Sequence, residues 1–141
     1  MQIFIIGTII ETAKCLDTKR LNKQIIEAKQ ILRAIIVHDA PWKNHPCSLQ
    51  YKNYTTWLRK YYYCLKAYKF GCITVANNIS KSAEEYTPLF HTEEFFNQMK
   101  RRLYTKNNLH YNQWKNLGES NINLYYVNGE WKKYKNGKNI K

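Results

Sequence analysis

A chain of 141 residues is long enough to bury a core and short enough to fold as one domain. It sets 23 Lys and Arg against 10 Asp and Glu, a formal net charge of +13, which attracts polyanions, nucleic-acid backbones foremost, with an anionic lipid surface or a merely basic soluble protein as the plainer readings. Its 12 Tyr, 5 Phe and 4 Trp exclude a disordered basic tail.

The opening Gln2–Ile6 is β-branched and aromatic, so it reads as a short extended segment before Gly7 or as a buried arm. Its apolar run is too short for a secretory leader, and no segment is long enough to span a membrane. Asp17 is placed to cap a helix that runs to about Val37 and stops at His38-Asp39-Ala40-Pro41. Leu21, Ile25, Ala28, Leu32 and Ile35 give that helix an apolar stripe. Glu27 shares a neighbouring face with Arg20 and Lys23, because residues three, four and seven apart lie nearly above one another. A lone acid on a basic stripe, in a chain poor in acids, is a candidate chemical group; its plainer role is an i, i+4 surface pair with Lys23.

The polar stretch Pro41–Pro46 ends one element and opens another. Tyr51 to Phe70 repeats Tyr54, Trp57, Leu58, Tyr61, Leu65 and Tyr68 at helical spacing, with Gly71 as a natural C-cap. Tyr61-Tyr62-Tyr63 covers every side of that helix, so at least one ring is exposed. Residues 73–90 read as a loop with a short helical turn, given Asn77-Asn78 and Ser80-Lys81-Ser82. A third helix is expected to begin near His91 or Thr92, turning Phe95, Phe96, Met99 and Leu103 inward and Lys100, Arg101 and Arg102 outward. Asn123–Val127, then Asn128-Gly129, then Glu130–Tyr134 reads as a β-hairpin with a type I′ turn, and Lys135 to Lys141 is expected to fray. The expected fold is mainly α: a compact single-domain helical bundle of about three main helices over residues 1–141, with a C-terminal hairpin at about 122–135.

The four cysteines show no CxxC pair and no metal-type spacing with histidine. Reduced thiols are expected, with Cys15 and Cys64 as core residues. There is no phosphate-cradling glycine loop, GxSxG, HExxH or pair of close acids suited to two-metal phosphoryl transfer. What remains for DNA chemistry without a metal is an amine nucleophile assisted by a carboxylate. An α-amino group, with a reference pKa of about 7.7–8.0, meets the need for a free base near neutral pH without deep burial.

The run Cys15-Leu16-Asp17-x-Lys19-Arg20-Leu21-x-Lys23-Gln24-x-x-Glu27-Ala28-x-Gln30-Ile31-Leu32 resembles the pyrimidine-dimer DNA glycosylase / endonuclease V family. So do Met1-Gln2-Ile3-Phe4, Trp42-x-Asn44-His45-Pro46 and Leu103-x-x-Lys106-x-x-x-His110-Tyr111, in the expected order, while the hairpin lies outside the resemblance. The resemblance implies a mostly helical, metal-independent enzyme without cofactor that flips a nucleotide out of damaged double-stranded DNA and combines glycosylase with abasic-site lyase activity. It implies Glu27 as the catalytic glutamate and the α-amine of the chain start, Met1, as nucleophile. Arg20 and Lys23 would sit near phosphates beside the lesion, and Lys100, Arg101 and Arg102 would form a second phosphate patch. His110, Tyr111 and Trp114 would correspond to an aromatic DNA-contacting region.

Gln2 stands where the best-known members expose a small residue after methionine removal, so either Met1 keeps its own α-amine and uses it or the amine chemistry is lost. The competing functions are a catalytically silent nucleic-acid-binding module on the same scaffold and a binding protein for a small phosphorylated nucleotide. The protein is expected to be an intracellular monomer with no membrane or obligate protein partner, of cellular or viral origin. His45 reads as a turn organiser and His91 as a residue orienting a helix start.

Overall fold

The computed structural model describes residues 1–117, 122–127, 129–135 and 138–140. Among these residues are six α-helices, two short 3-10 turns and a three-stranded antiparallel sheet. Backbone contacts divide the chain into two compact units, Met1–Leu89 and Phe90–Lys141.

In the first unit, the opening residues form no strand; Ile3, Phe4 and Ile5 are a buried arm. Helix α1 (Ile9–Cys15) is capped by Thr8, whose hydroxyl accepts from the Glu11 N–H. The Thr12 hydroxyl accepts from the Ile6 N–H at 3.1 Å and donates to the Thr8 carbonyl at 3.0 Å, so the arm enters the helix through a bonded corner. Helix α2 spans Thr18–Ile36, close to the expected limits, with Asp17 at the N-cap position but without a side-chain cap bond.

The buried face of α2 is not the expected stripe. Leu21, Ala28 and Leu32 are buried, but Ile25 and Ile35 are only half-buried, and Gln24, Glu27, Ile31 and Ala34 complete the inner face. Two polar side chains thus take core positions that hydrophobic periodicity cannot register.

The expected bundle of about three helices is overturned by the six observed, and the reasons are local. The helix expected from Tyr51 to Phe70 is α4 (Thr55–Lys69), and an additional short helix, α3 (Pro46–Tyr51), precedes it, separated by Lys52, Asn53 and Tyr54. Proline at the first turn of α3 suits a helix start, where its missing N–H is no loss. At the end of α4, the Cys72 N–H bonds the Ala67 carbonyl and the Gly71 N–H bonds the Tyr68 carbonyl, a Schellman closure that needs the left-handed φ of +80° at Gly71.

The segment expected to be a loop contains α5 (Ile73–Ala83), followed by a 3-10 turn at Glu84–Tyr86. Its buried residues, Ala76, Ser80 and Ala83, are small and helically spaced. They permit close approach: the Cys64 thiol donates to the Ala76 carbonyl, and the Ile10 N–H donates to the Ser80 hydroxyl at 3.0 Å. Of the three tyrosines in a row, Tyr61 is sealed in the core, Tyr62 is half-buried and Tyr63 is exposed. All four cysteines are free thiols; Cys47 and Cys64 are buried, Cys15 half-buried and Cys72 exposed.

In the second unit, α6 (Glu93–Lys106) starts where expected, with the Thr92 hydroxyl accepting from the Phe95 N–H and two acids in the first turn. Phe95, Met99 and Leu103 are buried, and Phe96 is half-buried. Strands β1 (Ile122–Val127) and β2 (Glu130–Lys135) form the expected hairpin, with Tyr126 opposite Trp131. Asn128 lies outside the described residues, so the type I′ assignment does too; Gly129 has the positive φ of +81° that such a turn uses.

Where fraying was expected, β3 (Lys138–Ile140) pairs antiparallel with β2. Gln98 fixes the sheet to α6: its side-chain amide accepts from the Leu124 N–H at 2.6 Å and donates to the Leu124 carbonyl at 3.1 Å. No described helix is long and apolar enough to cross a membrane.

Candidate active site

The arm, α2 and α4 meet around one buried glutamine. Gln24 is 1% exposed and uses both ends of its amide. Its Oε1 accepts from the Phe4 N–H at 2.8 Å, and its Nε2 donates to the Gln2 carbonyl at 2.9 Å, the pattern a neighbouring strand would offer the arm. The same Nε2 donates to Glu27 Oε2 at 2.9 Å, one turn further along α2. The Tyr61 hydroxyl from α4 lies 2.7 Å from the Phe4 carbonyl and 2.8 Å from Gln24 Oε1, and its single proton serves these acceptors one at a time. Burial, and next the Glu27 carboxylate, push the Tyr61 phenol well above its ordinary range, so it remains a donor. The start of the chain is therefore tied to the helix that carries Glu27.

Glu27 itself is 9% exposed, and its hydrogen-bond partner is Gln24 rather than Lys23. The plain surface-pair reading of this acid does not describe it. His45 lies close enough to register both candidate groups. Its pKa is lowered chiefly by burial and then by the positive charge of the N-terminus, while the Glu27 carboxylate opposes the shift.

The His45 Nδ1 accepts from the Cys47 N–H at 3.0 Å and so caps α3. That bond leaves the proton of the neutral ring on Nε2. The Cys47 thiol feels the same two charges, but burial dominates and pushes it up to about 11; it also bonds the Gln50 side chain and the Ile3 backbone. A thiol so raised is protonated near neutral pH and does not compete as a nucleophile.

Of the residues singled out from sequence, the first unit gathers Met1 (half-buried), Glu27, Arg20 (half-buried) and Lys23 (exposed). Arg20 Nε and Ser48 Oγ are shielded from solvent and find no hydrogen-bond partner among the described residues. In the second unit, Lys100, Arg101 and Arg102 lie along α6 and are half-buried rather than turned fully outward. Burial lowers the pKa of both arginines; Tyr125 opposes this at Arg102, with Arg101 adding to it, and Glu94 opposes it at Arg101. His110 is exposed, whereas Tyr111 is fully buried and stacks on Trp114 at 5.4 Å. A nucleic acid can reach His110 and the half-buried Trp114, but not Tyr111, whose role is to support its neighbour.

His91 stacks on Phe95 at 5.5 Å, and burial drops its pKa to about 3. Sequence reasoning passed over Gln24, Tyr61 and Cys47 as site residues and left His45 as a turn former. The available signal was Gln24 one helical turn before Glu27, on the same face.

Among the described residues, no group of three or more His, Cys, Asp or Glu side chains could hold a metal ion. No curated protein and no solved structure gives a match to the chain. Residues 1–67, the segment that carries Met1, Gln24, Glu27, His45 and Tyr61, match the family model described as pyrimidine dimer DNA glycosylase, as the resemblance read from the sequence leads one to expect.

Proposed function

We propose that the protein is a DNA-repair glycosylase and abasic-site lyase acting on pyrimidine dimers in duplex DNA, with the α-amine of Met1 as nucleophile and Glu27 as its acidic partner. The observation that carries this reading is the Gln24 amide, which bonds both the arm at Gln2 and Phe4 and the carboxylate of Glu27. A nucleophile on a loose chain end would be diluted over many positions. Held by a buried amide, it is presented to one face, and orientation of this kind is a large share of catalysis.

In the proposed sequence the amine attacks C1′ of the damaged nucleotide, and the bond from C1′ to the base breaks with the base taking a proton. Opening of the sugar moves the C1′–O4′ electron pair onto oxygen and leaves an iminium. Loss of a proton from C2′ then expels the 3′ phosphate by β-elimination. Glu27 stabilises the cationic iminium and is the base within reach of these protons. No step calls on a metal or cofactor.

The half-buried Arg20 and the exposed Lys23 are the phosphate contacts of this unit. Lys100, Arg101, Arg102 and His110 supply a second cationic surface, and residues 1–141 act as one monomeric DNA-binding enzyme. The net charge of +13 supports such binding without sequence preference.

The test is borohydride reduction in the presence of abasic-site DNA, with chelator present, followed by peptide mass spectrometry. The expected result is a covalent adduct on the Met1 amine, lost when that amine is acetylated, while DNA retention persists. An adduct on Lys19 or Lys23, or full nicking with a blocked terminus, overturns the assignment. Retention of DNA with neither nicking nor trapping makes the protein a silent binder.

A further inference from the structure

Trp42 has no part in the chemistry above, yet it is the least comfortable residue near the site. Its backbone adopts φ of +69°, the left-handed region, where a Cβ and a bulky side chain are strained. Asp39, three residues earlier, does the same at +60°. The indole is 57% exposed, although a large aromatic ring gains most by burial. Strain and exposure together work against folding, so the loop is not shaped for packing alone.

The residue is nevertheless anchored. The His45 N–H bonds the Trp42 carbonyl at 3.0 Å, and the indole meets the His45 imidazole edge-on at 5.9 Å. That imidazole is held by its bond to the Cys47 N–H and lies within electrostatic reach of both the N-terminal amine and Glu27. The chain thus projects a solvent-facing aromatic plane beside the candidate reaction centre, with Lys43 and Asn44 exposed next to it.

We propose that Trp42 is a base-stacking residue, which takes the nucleobase left unstacked at the lesion and so holds the damaged nucleotide open to the amine. Every base offers a π-face, so such a contact selects for a disrupted stack rather than for sequence. An indole presents the largest such plane among the side chains, and its edge contact with His45 sets it next to a residue of the candidate site. The inference rests on the proposed function and adds the residue that would distinguish a lesion from intact duplex.

The experiment uses a duplex carrying a tetrahydrofuran abasic analogue, which cannot form an imine, with 2-aminopurine as the base opposite it. Fluorescence anisotropy gives affinities for this duplex and for its undamaged counterpart; the 2-aminopurine emission reports stacking on the indole. Trp42→Ala is expected to weaken lesion binding by about 10- to 100-fold, while undamaged binding changes less than about 2-fold and the quenching of 2-aminopurine disappears. Trp42→Phe should recover part of the affinity.

Trp42→Gly separates stacking from folding: glycine accepts a positive φ, so this variant should melt no lower than wild type yet lose lesion affinity like the alanine variant. Wild-type affinity in folded Trp42→Ala or Trp42→Gly, a large drop in melting temperature for Trp42→Gly, or no wild-type preference for the lesion duplex overturns the stacking role. Borohydride trapping by the wild type tests the enzyme reading separately: trapping with indifferent Trp42 variants sinks the stacking role alone, and selective loss of lesion binding without trapping sinks the enzyme reading alone.

Discussion

Replacing Gln24 with Leu preserves most of the side-chain volume and removes every polar contact the amide makes. The Phe4 N–H loses an acceptor at 2.8 Å inside the core, and the Glu27 carboxylate loses a donor at 2.9 Å. The Gln2 carbonyl also loses one bond, whereas the Tyr61 hydroxyl keeps the Phe4 carbonyl at 2.7 Å. An orphaned buried donor costs about 1–3 kcal/mol, and losing a hydrogen bond to a charged group about 1.5–3 kcal/mol. The expected destabilisation is therefore about 3–5 kcal/mol, against a total of about 5–15 kcal/mol for a typical domain. For a chain of this size that lowers the melting temperature by about 10–20 °C.

The variant should remain folded at room temperature, yet its arm should be loose, so the rate of borohydride trapping on abasic duplex should fall further than the folded fraction. Urea unfolding followed by far-UV circular dichroism gives the first quantity, and single-turnover trapping the second. Stability within about 0.5 kcal/mol of wild type, together with undiminished trapping, refutes the claim that this amide organises the site.

Glu27→Gln should fold and bind DNA but fail to turn over, because an amide can neither take a proton nor stabilise an iminium as a carboxylate does; nicking of irradiated plasmid at the wild-type rate rejects that role. Arg101→Ala with Arg102→Ala should weaken binding to all sequences alike and flatten the log–log salt dependence by about one to two contacts, read by anisotropy across a salt titration. His91, lowered from 6.5 to about 3 by burial, favours the neutral ring in the folded state. Its contribution is complete above pH 6.5 and is lost as pH falls toward 3, so His91→Phe should flatten that part of the acid-unfolding curve; an identical pH profile for the two proteins contradicts the burial argument.

How much of this was legible in the sequence follows from which signals are periodic. The limits of α2, the Thr92 cap of α6, the Gly71 closure and the paired strands at 122–127 and 130–135 all rest on strong local grammar, and the structure reproduces them. Helix α5 was missed because its inner face is built from Ala76, Ser80 and Ala83, too small and too polar to raise an apolar stripe. The start of α4 reads four residues too early, at Tyr51, because Tyr51 and Tyr54 keep a helical spacing across the gap that follows α3.

Of the candidate pair, Glu27 is singled out in the sequence by its isolation among basic residues, and Met1 by the family resemblance. Gln24 was not found, since a buried polar residue looks like a surface residue until its partners are known, and two of those are backbone groups on a distant stretch of chain. Tyr61 was read as one more core aromatic, for its hydroxyl partners cannot be seen from helix spacing.

The bonds that seat the arm join residues 20 and 57 positions apart, and the Ile10–Ser80 bond that secures the following helix spans 70. Contacts of such separation close slowly, because the chain surrenders loop entropy before they form. Neighbours in sequence such as α4 and α5, joined by the Gly71 turn, can pair early, while the arm settles only onto a surface that α2 and α4 have built. The Gln24 and Tyr61 bonds that seat it are a property of the finished topology alone, so whatever depends on a seated arm belongs only to molecules that have completed this last docking step.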